Sequence, residues 1–352
     1  MTIRNEQPKD HKEVLRLTYE AFRFMDFPGR RRADEHYLVH LLKDSSSVIR
    51  ELSFVAEDEG KIVGHILYTL SRVTGPDGKI INTITFGPLS VLPERQRQGI
   101  GKALVMRSME AAKEMGFAAV IIAGVPEYYP KLGFKRGYEL GLTLPDGSSP
   151  DALMAYELKE GSLAGGGVCK FLAPEYGKAE ADDITGFHRA FINENYGGKL
   201  ILRKFFDDDM ELFKKWLYLP HISKWYECPD SWIKEVEGRH GKFSFINHFI
   251  AEAGGVPIGF CQYYDCYFGQ GYEDWHKIER QGEVFSIDYF IGEPLFLGKG
   301  LGKGIVSLLT SMVKDKGGKR IIVGPEPDNT PSRRALEACG YAFDGRDYYI
   351  EF

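Results

Sequence analysis

The chain is poor in features that would tie it to a membrane, a metal or an oxidising compartment. Its longest apolar run, FAAVIIAGV at 117–125, falls well short of the roughly 20 residues a spanning helix needs, so no membrane partner is expected. The five cysteines, Cys169, Cys228, Cys261, Cys266 and Cys339, are odd in number and form no CxxC. That argues against a disulfide framework and against zinc, and for free thiols in a reducing compartment. The opening MTIRNEQPKD has no apolar h-region, so no secretory leader is expected and a cytoplasmic protein is the default. Cationic excess is absent too: 45 Lys and Arg face 50 Asp and Glu, a net charge of −5. This argues against a nucleic-acid partner and mildly favours amine-bearing ones. His36 and His40 stand four apart on a helical pattern, but no HExxH accompanies them. They read as a solvated helix face, not as metal ligands. No GxSxG is present, which leaves a serine hydrolase without support.

What is present is length, a core and a repeat. With 352 residues, 43% of them hydrophobic, the chain can fill two domains. FVAEDEGKIVGHILY (54–68) registers without a gap on FIAEAGGVPIGFCQY (249–263), and each reads as strand, tight turn, strand. Glycine turns follow at Gly99/Gly101 and Gly300/Gly302, then LGF (132–134) and CGY (339–341). Three landmarks in one order, at nearly constant offset, indicate two copies of one domain. We place the first at 1–177, a helical linker at 178–197 and the second at 198–352. The Gly-rich stretch 161–177 is read either as a loop closing the first domain or as a flexible connection. Asp207-Asp208-Asp209 precedes a helix pattern and reads as an N-terminal capping cluster. Arg30-Arg31-Arg32 reads as a solvated basic loop.

Each glycine turn joins a strand pattern (84–92, 284–291) to a helix pattern (102–116, 303–317). A helix N-terminus offers unpaired N–H donors and the positive end of the dipole, which together favour a phosphate. Arg95, Arg97 and Lys102 flank the first turn, and Lys299 and Lys303 the second. The dinucleotide fingerprint fails, because Leu104 and Ile305 stand where its third glycine belongs. The P-loop fails as well, since Ala103 follows Lys102 and Gly304 follows Lys303.

QRQGIG (96–101) and YPKLGF (129–134) resemble the Q/R-x-x-G-x-G/A loop and the Y-x-K-x-G-F segment of GCN5-related N-acetyltransferases. The first copy resembles a small bacterial YhbS-like group. HISKWY (221–226), GVPIGFCQYY (255–264), SIDYF (286–290), LGKGLGKGIV (297–306) and the run at 325–329 are similar to aminoglycoside 6′-N-acetyltransferases. The resemblance implies an α/β fold: two tandem domains, each a mixed, mostly antiparallel sheet flanked by helices, with acetyl-CoA as cofactor. It implies cofactor contacts at Gln96, Arg97, Gln98, Gly99, Ile100, Gly101, Lys102 and Ala103, and at Lys299, Gly300, Leu301, Gly302, Lys303 and Asn329. A bulge in the splayed strand before the turn would free main-chain amides at Leu89, Ser90 and Val91, and roughly at Ile287–Phe290 in the second copy.

The implied chemistry is direct attack of a neutral amine on the thioester, with help for the oxyanion and the leaving thiolate. Tyr129 aligns with the family's general-acid tyrosine. A phenol can serve there if a cationic cofactor site lowers its pKa from about 10. Tyr128 is its neighbour and competitor. In the second copy Leu336 takes the tyrosine's place and cannot donate a proton. Asp288 matches an aspartate able to take the amine's proton or hold a cationic acceptor, and Trp225 and Tyr226 match an aromatic pair on the acceptor side. Asn329 alternatively reads as a helix-entry residue ahead of Thr330 at the cap and Pro331. Gly324-Pro325 departs from the Asp-Pro that grips aminoglycosides, which puts drug acetylation in doubt. The expectation is N-acetylation of a small amine, with neither nucleic acid nor membrane as partner and a homodimer left open. The rival is that one or both domains bind acetyl-CoA, or a scaffold partner, without turnover.

Overall fold

A computed structural model describes residues 1–25, 35–177, 181–272 and 277–352; Arg30-Arg31-Arg32 and the first residues of the expected linker lie outside these. The chain divides between residues 185 and 186 into two compact units.

The first unit carries strands β1 (Thr2–Asn5), β2 (Val48–Asp58), β3 (Lys61–Thr74), β4 (Ile80–Val91), β5 (Ala119–Ala123), β6 (Lys135–Arg136), β7 (Leu142–Thr143), β8 (Leu153–Glu157) and β9 (Gly167–Phe171), with helices α1 (His11–Phe22), α2 (Glu35–Leu42) and α3 (Ile100–Glu114). The sheet runs β1-β2-β3-β4-β5-β8-β6, with β9 on β3 and β7. Only β4/β5 and β7/β9 pair in parallel. The stretch expected as either loop or linker therefore closes this unit: β9 pairs antiparallel with β3, and Leu163 and Cys169 are buried.

The second unit follows helix α4 (Ala181–Tyr196). It holds β10 (Leu200–Lys204), β11 (Ile246–Ala253), β12 (Val256–Asp265), β13 (Val284–Ile291), β14 (Arg320–Val323), β15 (Ala342–Phe343) and β16 (Tyr348–Glu351), with α5 (Met210–Leu217), α6 (Pro220–Ser223), α7 (Pro229–Glu237), α8 (Cys266–Gly269), α9 (Leu301–Asp315) and α10 (Thr330–Glu337). Its sheet runs β10-β11-β12-β13-β14-β16-β15, and β13/β14 is its parallel pair. From Gly186 onward α4 packs on this unit, burying Phe191 and Ile192.

The repeat is visible in local chemistry. Both first hairpins turn on two residues with positive φ, Glu59-Gly60 (51° and 77°) and Gly254-Gly255 (58° and 73°). This geometry matches the twist of the flanking strands. Arg4 holds Asp10 (2.6 and 3.1 Å) and Glu57 (2.8 Å), and Arg203 holds Asp209 (2.6 and 2.7 Å) and Glu252 (2.6 Å) in the same arrangement. Asp10 and Asp209 each also accept a main-chain N–H three residues back. So Asp209 caps the helical turn ahead of α5, as expected of the cluster, and is also the anchor of an arginine clamp. Asp207 instead pairs with Arg239. In the second unit α4 adds His188, whose Nε2 lies 2.9 Å from Glu252, and the clamp is buried.

Strand alternation sets the two faces of the second sheet. Phe285, Ile287 and Tyr289 face the core that includes Ile305, Val306 and Leu309 of α9. Phe290 joins Phe205, Phe213 and Trp216 on the opposite face. In the first unit α3 lies tight on β3 because Gly64 has no side chain. A Cβ there would stand 2.9 Å from both Ile100 and Leu104. His36, expected on a solvated face, is buried against the Tyr19 ring at 5.3 Å, while His40 is exposed.

Candidate functional site

The parallel pairs β4/β5 and β13/β14 each open into a V. β4 touches β5 only at Ile84↔Val120, and β13 leaves β14 after Ser286↔Ile322. The edge residues beyond these points face a cleft, and each cleft ends at a glycine turn.

The two turns have matching backbones. Gln96 and Leu297 each donate their N–H to a proline carbonyl three residues back, Pro93 and Pro294. Arg97 (φ 60°) matches Gly298 (71°), and Gly99 (85°) matches Gly300 (74°). The first intrahelical bonds are Ala103 N–H to Gly99 and Gly304 N–H to Gly300. Between these fixed points the amides of 97–102 and 298–303 meet no protein acceptor among the described residues. A Cβ on Gly99 or Gly300 would meet no atom within 4 Å. Six converging donors per turn, with open space in front, form an anion cradle at a helix N-terminus.

Side chains sort into bracing and free groups. Arg95 is bound to Asp58 (2.6 Å) and Gln98 (3.2 Å), so it braces the turn and is withdrawn from the phosphate role expected of it. The amide groups of Gln98 and Gln96 are likewise engaged, by Glu94 and Val91 carbonyls at 3.1 Å each. The Ile100 side chain is buried, and Ala103 has spent its N–H within the helix. Arg97 and Lys102 are exposed and pair with nothing among the described residues. Lys299 lies over the Phe296 ring at 5.2 Å, and Lys303 is exposed.

The strand before the first turn is bulged, but one step earlier than expected: the extra residue falls at Gly87-Pro88, while Leu89, Ser90 and Val91 pair in register with Ile66, His65 and Gly64. Between Ile66↔Leu89 and Tyr68↔Phe86 the β4 side carries an extra residue. Leu89 and Val91 point to the turn, each 3.7 Å from a Cβ placed on Gly101. Ser90 points the other way and is buried on Thr18 at 3.2 Å, so only its main chain can serve the cleft. In the second unit the expected bulge is missing. β13 pairs with β12 from Gly259↔Ile291 to Asp265↔Phe285 without a shift. That strand is splayed but regular, and Asp288 occupies the place of the extra residue.

Tyr129 sits in an aromatic cluster with Phe86 (5.7 Å), Phe134 (5.6 Å) and Tyr128 (5.0 Å). Its hydroxyl has no protein partner among the described residues. Burial pushes its phenol up, opposite to the downward shift expected, because the cationic turn does not reach it. Tyr128 is the residue brought to the turn: its hydroxyl lies 3.3 Å from a Cβ on Gly101. In the second unit Leu336 does replace Tyr129. Tyr341 donates its N–H to Leu336 (3.1 Å) as Phe134 does to Tyr129 (3.3 Å). Leu336 is fully buried.

A cavity of about 350 Å³ fills the second V. Its lining includes Trp225, Tyr226, Trp232, Asp288, Tyr289, Asn329 and Ser332, with Glu326, Arg346 and Asp347. The Gln262 amide donates to Asp288 at 2.9 Å. Tyr226 donates its hydroxyl to the Tyr289 carbonyl (2.9 Å). Burial, with the Asp288 charge beside it, pushes the Tyr226 phenol well up. Asn329 is the N-cap of α10, its carbonyl oxygen accepting from Ser332 N–H at 3.2 Å, so Thr330 stands inside the helix and not at its cap. Asn329 also lines the cavity. Asp347 was missed by sequence reading. Its carboxylate lies 2.9 Å from a Cβ on Gly324, so a carboxylate absent from position 324 is brought to the same place from the loop before β16. Proximity in the fold, not along the chain, was the signal.

Two mixed sheets, each opening at a strand–turn–helix anion cradle, define an acyltransferase-type architecture. The family model described as "Acetyltransferase (GNAT) domain" matches residues 2–137 and again, in a second version, 206–346. The chain is 35% identical to the N-acetyltransferase YjhQ of Escherichia coli K12 over 143 residues, 39% of this chain and 74% of that protein. It is 26% identical to the aminoglycoside N(6′)-acetyltransferase type 1 of Klebsiella pneumoniae over 171 residues, 46% of this chain and 82% of that one. Among solved structures, Escherichia coli YhbS in complex with CoA matches at 24% identity and a TM-score of 0.44, covering 51% of this chain and 93% of that chain. The chain belongs to the GNAT N-acetyltransferases and carries two domains of that family. Among the described residues no helix is long and apolar enough to cross a membrane.

Proposed function

We propose that the protein transfers an acetyl group from acetyl-CoA to a small amine by direct amine attack on the thioester. The observation that carries this reading is the pair of matching turns, each with six unpartnered amides and open space before its left-handed glycine. Those amides, with Arg97 and Lys102 in the first unit and Lys299 and Lys303 in the second, suit a diphosphate. Bound acetyl-CoA would supply an activated acetyl group and a good leaving group.

In the second unit Asp288 is placed to take the proton from the attacking amine or to hold a cationic one. Gln262 orients its carboxylate through the 2.9 Å bond. Asp347 and Glu326 in the cavity lining favour a cationic acceptor, and Trp225, Tyr226 and Trp232 give it apolar and cation–π surface. In the first unit Tyr128 and Tyr129 are the phenols near the cleft. Burial raises the pKa of both, which keeps them protonated at neutral pH and suits them to donate a hydrogen bond.

Calorimetry with acetyl-CoA is expected to give two sites per chain. Gly99→Val and Gly300→Val, which place a branched side chain on a positive-φ cradle residue, are each expected to remove one. A chain that binds no acetyl-CoA overturns the reading. Binding without thiol release against a panel of mono- and polyamines favours the non-catalytic alternative.

A further inference from the structure

The second unit lacks a tyrosine where the first has two, yet a phenol stands at its turn. In the first unit the space over Gly101 is bounded by Leu89 from the strand and Tyr128 from the facing loop, at 3.7 and 3.3 Å from a Cβ there. In the second unit the space over Gly302 is bounded by Tyr289 and Ala335, at 3.8 and 4.0 Å. Register equates Leu89 with Tyr289: Leu89 pairs with Ile66 and Tyr289 with Cys261, two residues past Gly64 and Gly259 along β3 and β12. The shared hydrogen bond at Leu336 and Tyr129 equates Ala335 with Tyr128. The large and small residues have changed walls, and the phenol has kept its place.

Resting on the acetyl-transfer reading, we infer that Tyr289 supplies the hydroxyl that hydrogen-bonds the leaving sulfur in the second unit. Its oxygen lies 2.9 Å from Ser332 Oγ and 3.3 Å from the Ser332 carbonyl. The Tyr289 O–H donates to that carbonyl in a long bond; with the Ser332 hydroxyl donating to the phenol oxygen, the phenol proton can leave the carbonyl for the stronger acceptor, a thiolate forming in the cleft. Alternation places Asp288 and Tyr289 on opposite faces of β13, and both line the one cavity, because the strand has left β14 at that point. The amine is thus met from one face and the sulfur from the other. As the C–N bond forms and the C–S bond breaks, the electron pair leaves on sulfur, the ammonium proton passes to the Asp288 carboxylate, and the Tyr289 O–H stabilises the thiolate without ionising. Burial, eased by the Ser332 bond, leaves the phenol pushed up to about 12, consistent with a donor that keeps its proton.

The test uses the full chain with Tyr128→Phe and Tyr129→Phe, so that the first unit contributes no phenol, and compares Tyr289 with Tyr289→Phe. The probe is CoA, titrated through the ultraviolet absorbance of its thiolate when bound, with calorimetry reporting affinity and stoichiometry at a pH where the thiol is protonated. With Tyr289 present, the bound thiol is expected to ionise about one to two pH units lower than in Tyr289→Phe, the worth of a hydrogen bond to a charged group. Low-pH affinity is expected to be unchanged, and thiol release from acetyl-CoA about 10- to 100-fold slower in the variant. Equal thiol ionisation in the two chains, with CoA bound at both clefts, overturns the role of Tyr289 and leaves the acetyl-transfer reading intact. Absence of CoA from the second cleft, with the first cleft filled, overturns the role of Tyr289 together with acetyl transfer by the second unit; absence from both clefts overturns the acetyl-transfer reading itself. Ser332→Ala is expected to reproduce part of the shift, and it leaves the phenol itself in place.

Discussion

Arg97 and Gly298 occupy one place in two turns, and the difference between them separates stability from binding. Arg97 holds φ 60°, a left-handed conformation that costs a side-chain-bearing residue roughly 1 kcal/mol. Arg97→Gly is expected to raise the melting temperature slightly and to weaken acetyl-CoA binding at the first turn. A gain in both would show that the guanidinium has no ligand role. Glu235 gives a pH-dependent prediction. It is largely buried near Gln262, its Oε1 lies 3.7 Å from His248 Nε2, and burial raises it to about 7. Between the ordinary carboxylate value near 4.5 and about 7, the unfolded chain has already lost the proton that the folded chain keeps. Folding stability therefore falls as pH rises through that window. Glu235→Gln is expected to remove the fall and to be more stable than wild type at pH 8 by about 1–3 kcal/mol. Denaturant unfolding at pH 5 and pH 8 checks it, and an equal effect at both values would refute the assignment.

At the scale of elements, the same clamp sits in two environments. Arg203 is buried with Asp209 and Glu252, while Arg4 keeps 30% of its side chain exposed. Breaking a buried charge network strands the partners without compensation, at about 3–5 kcal/mol. Arg203→Ala is expected to cost that much, and Arg4→Ala about 1 kcal/mol, closer to an exposed pair. Denaturant midpoints read the difference, and equal losses would mean that α4 adds nothing to the clamp. The repeat itself was legible from Phe54/Phe249, Glu57/Glu252 and the paired glycines, because hairpin turns and helix N-termini are set by local chemistry. β13 was read from its apolar run residue for residue. Other features were not legible. β9 owes its strand to pairing with β3, and Gly167 packs so closely against Thr74 that only glycine fits. The bulge was expected in both copies, yet it forms only in β4. The partner that withdraws Arg95 from the cleft, Asp58, and the partner that completes the Arg203 clamp, Glu252, are distant in sequence.

At the scale of the whole molecule, the question is whether two copies mean two catalysts. Leu336 first suggests decay of the second copy, since a leucine cannot donate a proton. The structure weakens that argument. Leu336 is a fully buried core residue, and Tyr289, Asp288 and Asp347 gather around one cavity. The first copy keeps its tyrosines but has no carboxylate at the place of Asp288, where the extra residue of the β4 bulge lies. On the proposed roles the second copy would hold a carboxylate and a phenol and the first copy phenols alone, and the two clefts can be silenced one at a time. Asp288→Asn keeps the Gln262 contact sterically and removes the charge. It is expected to lower amine-dependent thiol release at the second cleft by about 10²-fold, the usual worth of a positioned base, with acetyl-CoA stoichiometry unchanged. Tyr128→Phe with Tyr129→Phe is expected to lower only the remainder. If the rate survives Asp288→Asn and falls with the tyrosines, turnover belongs to the first unit and the second is a binding module. If neither change matters, the proton passes through groups outside both assignments.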